Sequence, residues 1–464
     1  MRVLHVIQRY YPYVGGSELY FQELSERLAR AGHRVEVWTT DAWDLDYFWS
    51  RKAMRVGEAD ISRPTAVGGR PLAIDTGGVL PTADRRLPTD HKGVTIRRFP
   101  VRHLPFPSIY YRAWRRGMAE LSDLPFNTAP LLYRMSRLTP WLPALRRALQ
   151  ALPPGAFHLV HSTNIPFESM VAAAADYAER ARIPHIVTPF THLGEPGDRS
   201  ISRYYSMRHQ LDLERRASRV IVQTRLERDF LEDLGVPARK MERVGVGVNP
   251  YEVVGGHGER FRRKYGLEGP IVYYIGAAAY DKGTAHTIEA MRRVWERGID
   301  ATFVMAGSTM LDKFKRYYEE LPDDVRERCR WLGFIPDQDK RDLHAAGRVF
   351  CMPSRTDSFG IVYLEAWLNG VPVIGARAGG VPEIIDDGTD GYLVDFGDVG
   401  ALANRIQLLL ARPETARDMG QAGRRKVLAE HTWDHKISRI AEIYEEAVRG
   451  EALLARGRGS GVRG

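Results

Sequence analysis

Residues 1–40, MRVLHVIQRYYPYVGGSELYFQELSERLARAGHRVEVWTT, decide the fold. Val3–Ile7 is a short apolar run, suited to a parallel strand covered on both faces. A glycine pair, Gly15 and Gly16, follows it. From Glu18 to Arg30 the apolar residues Leu19, Phe21, Leu24 and Leu28 recur at helical spacing. Gly32 stops that helix, and Val35–Thr39 is the next strand. Strand, helix, strand in this order is a βαβ unit, whose crossover makes the two strands parallel.

Working outward, residues 57–93 hold six Gly and four Pro with little periodicity, which predicts a long loop. Strand character resumes at Val94–Phe99. Alternation then continues with strands at Leu159–His161, His185–Thr188 and Val220–Gln223 and a helix at Phe167–Arg180. After the Gly/Pro segment at 245–250 the pattern restarts. Strands are expected at Ile271–Ile275, Thr302–Ala306, Trp331–Gly333, Val349–Met352 and Val371–Ile374, with a helix at His286–Arg297. Two such runs imply an α/β protein of two doubly wound, Rossmann-like domains, with ligands at the carboxyl ends of the strands in the cleft between them. The expected division is 1–250 and 251–435, with a helix at 436–448 crossing back to the first domain. A Gly/Arg-rich tail at 456–464 reads as disordered.

The bulk properties exclude several classes. Hydrophobic residues are 44% and charged residues 27%, which is ordinary for a globular protein. The formal charge is +9, but only 10 of the 67 basic residues are Lys, a bias that reflects overall composition and gives the raw charge little weight. The two cysteines, Cys329 and Cys351, lack metal-site spacing, so no metal is expected and a reducing cytoplasm fits. The amino terminus reads as a strand and not as a signal peptide. No apolar run approaches the ~20 residues that span a bilayer.

The segment Pro353-Ser-Arg-Thr-Asp357-Ser-Phe-Gly360-Ile-Val-Tyr-Leu-Glu365 carries the chemistry. A strand ends at Pro353, and a helix begins near Gly360. The start of a helix offers free N–H groups and a positive dipole end, which suits phosphate. Asp357 precedes that start and Glu365 lies one turn inside it. Carboxylates so placed can accept hydrogen bonds from sugar hydroxyls and a ribose. Lys282, before Gly283, is a cation that would stabilise the charge gained by a departing diphosphate. His192 follows a strand of the first domain and so faces the same cleft.

With these motifs in this order, the chain resembles the retaining glycosyltransferases of family 4, which have the GT-B fold. The resemblance covers nearly the whole chain except 41–93 and 100–155. Its elements are Gly15-Gly16, Gly276 with Lys282-Gly283, Gly333-Phe334, the Asp357–Glu365 segment, and Pro372-Val-Ile with Gly379-Gly380-Val-Pro-Glu383. It implies that Lys282 neutralises the donor diphosphate, Glu365 holds the donor ribose, Asp357 contacts hydroxyls of the transferred sugar and His192 touches that sugar. It places Gly15, Gly16, Gly276, Gly333, Phe334, Phe359, Gly360, Ile361, Val362 and Tyr363 at the donor. The role of Glu383 stays open, with support of its loop as one reading. The donor would be a UDP- or GDP-sugar, with no further cofactor and no metal. Attack on the front face, with the departing phosphate taking the acceptor proton, would explain why no carboxylate nucleophile stands out.

Two departures from the family pattern stand together. Asp357 replaces the usual Glu, and Ala277 replaces the usual Arg. A lost charge-assisted hydrogen bond costs about 1.5–3 kcal/mol. Arg355 or Arg377 is therefore expected to supply a second cation.

Residues 97–150 hold ten Arg, two acidic residues and eight aromatics. That mixture suits an anionic membrane surface or a lipid-linked acceptor, or an Arg-rich helical insert packed on the domain. Stacking on nucleic acid is the least favoured reading. The acceptor is expected to be lipid-linked or a growing polysaccharide, and the protein cytoplasmic, peripheral on the inner membrane face. The competing classes are a nucleotide-sugar-binding protein without activity, a sugar-nucleotide epimerase, and a phosphorylase, which would need a Lys carrying pyridoxal phosphate.

Overall fold

The computed structural model describes residues 1–12, 15–42, 46–49, 89–104, 109–307 and 310–459. Two sheets hold the molecule. The first is built from β1 (Arg2–Val6), β2 (Arg34–Thr40), β3 (Thr89–His91), β4 (Val94–Phe99), β5 (Leu159–Thr163), β6 (His185–Thr188), β7 (Arg219–Val222) and β8 (Met241–Arg243). Their order is β3-β4-β2-β1-β5-β6-β7-β8, and only β3 runs antiparallel. The second holds β9 (Ile271–Ile275), β10 (Thr302–Ala306), β11 (Cys329–Trp331), β12 (Val349–Met352), β13 (Val373–Ala376) and β14 (Gly391–Val394). It is all parallel, in the order β11-β10-β9-β12-β13-β14. These are the two doubly wound, Rossmann-like domains of the GT-B arrangement.

Helices between the strands bury both sheet faces. That is why β9, and β1 apart from its buried His5, read as apolar runs: Val3, Leu4, Val6, Ile271, Val272, Tyr273 and Tyr274 are all buried. In each sheet the strand order reverses beside the first strand, between β1 and β5 and between β9 and β12. Ligand crevices form at such reversals, outside the carboxyl ends of the strands.

The boundaries expected from the sequence hold to within two residues for most elements. Three differences are physical. The expected loop 57–93 ends in β3, because Asp90 and His91 pair with Thr95 and Val94 around a turn at Lys92-Gly93; residues 57–88 of it lie outside the described residues. The strand expected at Trp331–Gly333 is Cys329–Trp331, because Gly333 has φ +68° and turns the chain away. The last helix runs Trp433–Gly459, past the expected start of a disordered tail at Arg456, since Leu, Ala and Arg there favour helix.

The chain passes between the sheets twice, and the two passages touch. Val248 N–H donates to His431 O at 2.8 Å. At Gly247 a Cβ would lie 2.8 Å from Trp433 Cα, so only glycine lets the passages meet. The last helix then packs on the first domain. Tyr444 Oη lies 3.1 Å from His5 Nε2 and 2.6 Å from His161 Nδ1, all fully buried. The Arg-rich stretch forms helices at Ile109–Asp123, Ala129–Ser136 and Pro143–Ala151. It is pinned by Arg115, which pairs with the buried Glu168, while Thr139 Oγ1 donates to the other oxygen of Glu168 at 2.9 Å.

Candidate active site

The site is built at the reversal of the second sheet. After β9, residues Tyr280–Lys282 form a single tight turn, and the next helix starts at Thr284. After β12, Pro353 to Gly360 loops out before the helix Ile361–Leu368. Gly360 sits at φ +89°, where a Cβ would meet the Tyr363 ring at 2.4 Å, so glycine is required for this entry into the helix. The two loops bring Lys282 and Asp357 together: Nζ donates to Oδ1 at 2.9 Å. Burial works to raise the Asp357 pKa, but the Lys282 charge and hydrogen bonding overcome it and hold the carboxyl below its usual range. Asp357 Oδ2 is buried and has no hydrogen bond within the chain.

Glu365 lies deeper on the same helix, 6% exposed. Its Oε1 accepts from Lys340 Nζ at 2.6 Å, and its Oε2 is likewise buried without a hydrogen bond. His344 Nε2 lies 3.9 Å from Oε2, but burial holds that imidazole neutral, so it gives Glu365 no charge. Two carboxylates of one loop–helix segment therefore each keep one oxygen uncommitted. A buried acceptor left unpaired costs about 1–3 kcal/mol, so these oxygens favour a ligand that donates to them.

The opposite wall comes from the first domain. His192 follows β6, lies flat against Tyr205 (ring centroids 4.8 Å, 12° between planes), and is only half-buried. The cleft walls desolvate it nonetheless. That desolvation, with the Lys282 charge adding to it and Asp357 opposing, pushes its pKa down to about 4. His192 is thus a neutral imidazole at neutral pH, fit to hydrogen-bond a hydroxyl. The loop bearing it is held to the second domain: Gly379 N–H donates to Gly194 O at 2.8 Å.

The other residues singled out in the sequence divide by what they expose. Gly15 caps the helix Gly16–Arg30, and a Cβ at Gly16 would meet nothing within 4 Å. Gly276 lies at the end of β9, and its N–H donates to Ala306 O at 2.9 Å. Phe334, after Gly333, is 44% exposed. Phe359 and Tyr363 are buried, and Tyr363 Oη donates to Met352 O at 2.5 Å, so both side chains are core. Ile361 and Val362 head the helix, whereas the N–H of Tyr363 already donates to Gly360 O at 3.0 Å. Arg355 is spent on two acids, Asp281 at 2.8 Å and Glu195 at 3.4 Å. Arg377 pairs with Asp387 at 2.5 Å and approaches Asp395 at 3.8 Å. The arginines expected as the second cation are thus both committed to carboxylates. Lys340 is the cation that the sequence reading missed. It comes from the helix Asp337–Ala346, which no motif links to Glu365.

A family described as glycosyl transferase 4-like domain matches residues 15–247, just over half of the 464. The chain belongs to this family. A second model, glycosyl transferases group 1, matches residues 258–426 of this glycosyl transferase 4-like protein. A GDP-mannose-dependent alpha-(1-6)-phosphatidylinositol monomannoside mannosyltransferase of Mycolicibacterium smegmatis is 36% identical over 193 residues, 40% of this chain and 50% of that protein. A D-inositol 3-phosphate glycosyltransferase of Corynebacterium kroppenstedtii is 30% identical over 199 residues, 41% of this chain and 44% of that one. The chain thus matches about half the length of these curated relatives. Among solved structures, sucrose-phosphate synthase of Thermosynechococcus elongatus superposes with a TM-score of 0.65 at 20% identity, covering 97% of this chain and 100% of that one. The HepE protein of Anabaena, crystallised with UDP, gives 0.66 at 17% identity, over 96% and 100%. Both share its fold.

Proposed function

We propose that the protein transfers a hexosyl group from a nucleoside-diphosphate sugar, UDP- or GDP-linked, to an acceptor held by the first domain. Residues 251–435 bind the donor, and residues 1–250 bind the acceptor. The observation that carries this is the Lys282–Asp357–Glu365 cluster at the strand reversal, with one uncommitted oxygen on each carboxylate and His192 facing it. Lys282 offsets the charge that the diphosphate gains as the sugar leaves. Glu365 accepts from the ribose hydroxyls, Asp357 and His192 bond hydroxyls of the sugar, and the head of the helix at Ile361 and Val362 meets the phosphates. With its pKa pushed down to about 4, His192 is a weak general base, which favours a retaining route in which the departing phosphate takes the acceptor proton.

The printed activities of the curated relatives, a mannosyl transfer to a phosphatidylinositol mannoside and a glycosyl transfer to inositol 3-phosphate, favour an acceptor that carries phosphate or lipid. No helix among the described residues is long and apolar enough to cross a membrane. The insert offers a surface instead. Tyr110 (60% exposed), Phe126 (62%) and Trp141 (37%) are exposed, as are Arg112, Arg116 and Arg147 of the same insert. Aromatic side chains beside arginines suit an anionic lipid surface, so we place the protein at the inner face of the membrane. Turnover of a panel of nucleotide sugars, followed by the anomeric configuration of the product, tests the reaction. Inversion at the anomeric carbon, or release of no nucleotide from any donor, would overturn it.

A further inference from the structure

Glu383 ends the Gly379-Gly380-Val381-Pro382-Glu383 stretch, and its carboxylate leaves its own domain. Oε2 accepts the N–H of Arg225 and, at 3.1 Å, that of Leu226. Oε1 accepts from Arg243 Nη1 at 2.7 Å. Arg225 is the first residue of the helix Arg225–Asp233 in the first domain. A carboxylate at a helix start meets unsatisfied donors and the positive end of the dipole. Thr224 caps the same helix, its Oγ1 accepting from Glu227 N–H at 3.1 Å. The two caps therefore take different donors.

The contact leads to the site. Glu227, on the first turn of that helix, is buried, and its carboxylate accepts the N–H groups of Thr191 and Gln223, each at 2.7 Å. Thr191 precedes His192. On the other side, Gly380 N–H donates to Asp357 O at 2.9 Å. The stretch 379–383 thus holds the Asp357 loop at one end and the helix that anchors the His192 loop at the other.

We propose that Glu383 is a positioning residue: it latches the two domains in the register in which His192 meets Lys282 and Asp357. This rests on the active-site assignment above. Glu383 touches neither Lys282 nor Glu365, so its loss acts on the alignment of the walls and leaves the nucleotide end of the site intact. Misalignment of about an ångström at a reacting centre lowers rate far more than affinity.

The test uses the full chain with free nucleoside diphosphate and with donor. Glu383→Ala is expected to lower kcat at least tenfold while the Kd for free nucleotide stays within threefold. Hydrogen exchange at the amides of Arg225 and Leu226 is expected to rise at least tenfold. Glu383→Gln keeps an acceptor and should restore part of both. Should Glu383→Ala not fold, Arg243→Ala removes the exposed partner alone and is expected to lower kcat about threefold. Unchanged exchange at 225–226, or nucleotide affinity falling as far as kcat, would overturn the latch. If Lys282→Ala leaves nucleotide binding intact, the active-site assignment falls, and the exchange measurement still decides the latch by itself.

Discussion

The two sheets reverse strand order in the same way, yet they finish their crevices differently. At the first reversal a single carboxylate is fully used: Glu18 accepts from Gln8 Nε2 and Arg9 Nε on one oxygen and from Ser17 Oγ on the other, each at 2.9 Å. Gln8 in turn accepts from Asn164 Nδ2 at 2.7 Å. At the second reversal Asp357 and Glu365 each leave one buried oxygen unbonded. The same architecture thus gives one reversal whose carboxylate is bonded on both oxygens and one whose carboxylates each keep an oxygen open. Buried atoms without a hydrogen bond occur elsewhere too, at Glu214 and Gln223 among others, but here two carboxylates beside Lys282 keep one open oxygen each, and that grouping supports the donor position proposed above.

That contrast can be broken in order of expected size. Glu18→Ala removes one partner of a buried ion pair, and such losses run to about 3–5 kcal/mol. Denaturant unfolding should show a drop of that order with nucleotide affinity unchanged; a loss of affinity would make the first reversal part of the donor site. Lys282→Ala does the reverse. Free nucleoside diphosphate should bind about 10- to 100-fold more weakly by calorimetry, the equivalent of about 1.5–3 kcal/mol, with stability little altered. Glu365→Gln should weaken nucleotide binding about tenfold, roughly one charge-assisted hydrogen bond.

Acid separates the two ends further. His5 and His185 of the first sheet are both pushed down to about 3 by burial. In the unfolded chain an imidazole takes its proton near about 6.5. Between those values the unfolded state holds the extra proton, so stability falls as pH falls through that window. Glu227, pushed up to about 7 chiefly by burial, works the other way: its folded state holds a proton that the unfolded state has lost, so its share of stability is lost as pH rises toward 7. His161, His344 and His431 are held low by burial as well, and Glu23, Glu214 and Asp390 are raised with Glu227; with the lowered imidazoles outnumbering the raised carboxyls, the urea midpoint should drop between pH 6.5 and 4. His192, at about 4, should add no limb to the pH–rate profile between 6 and 8. The smallest effect is expected at Gly16→Ala, where the new Cβ meets open space: stability within about 0.5 kcal/mol, and any loss of turnover then reports ligand approaching that backbone.

Local pattern carried most of the fold. Val3–Ile7 and Ile271–Ile275 are legible because a buried parallel strand is apolar on both faces, and Gly360 because a tight entry to a helix needs glycine. Lys282, Asp357 and Glu365 could be placed because each sits at a fixed offset from a strand end. What could not be read were the partners from distant chain. Lys340 reaches Glu365 from the neighbouring strand–helix unit, Arg355 is drawn off by Asp281 and by Glu195 of the other domain, and Glu18 closes on Arg9 through a loop. Spacing along one element says where a side chain starts, whereas its partner depends on how elements are stacked.

The final helix has a consequence for modularity. Because Tyr444 reaches His5 and His161 in the centre of the first sheet, the amino-terminal half is not finished until the last thirty or so residues have been made. During synthesis its core stays open while the whole second domain is translated. A cut anywhere between the two passages would leave a first half lacking its own closing piece. The protein looks like two beads on a string, but it is assembled as a clasp, with its ends as one bead and its middle as the other.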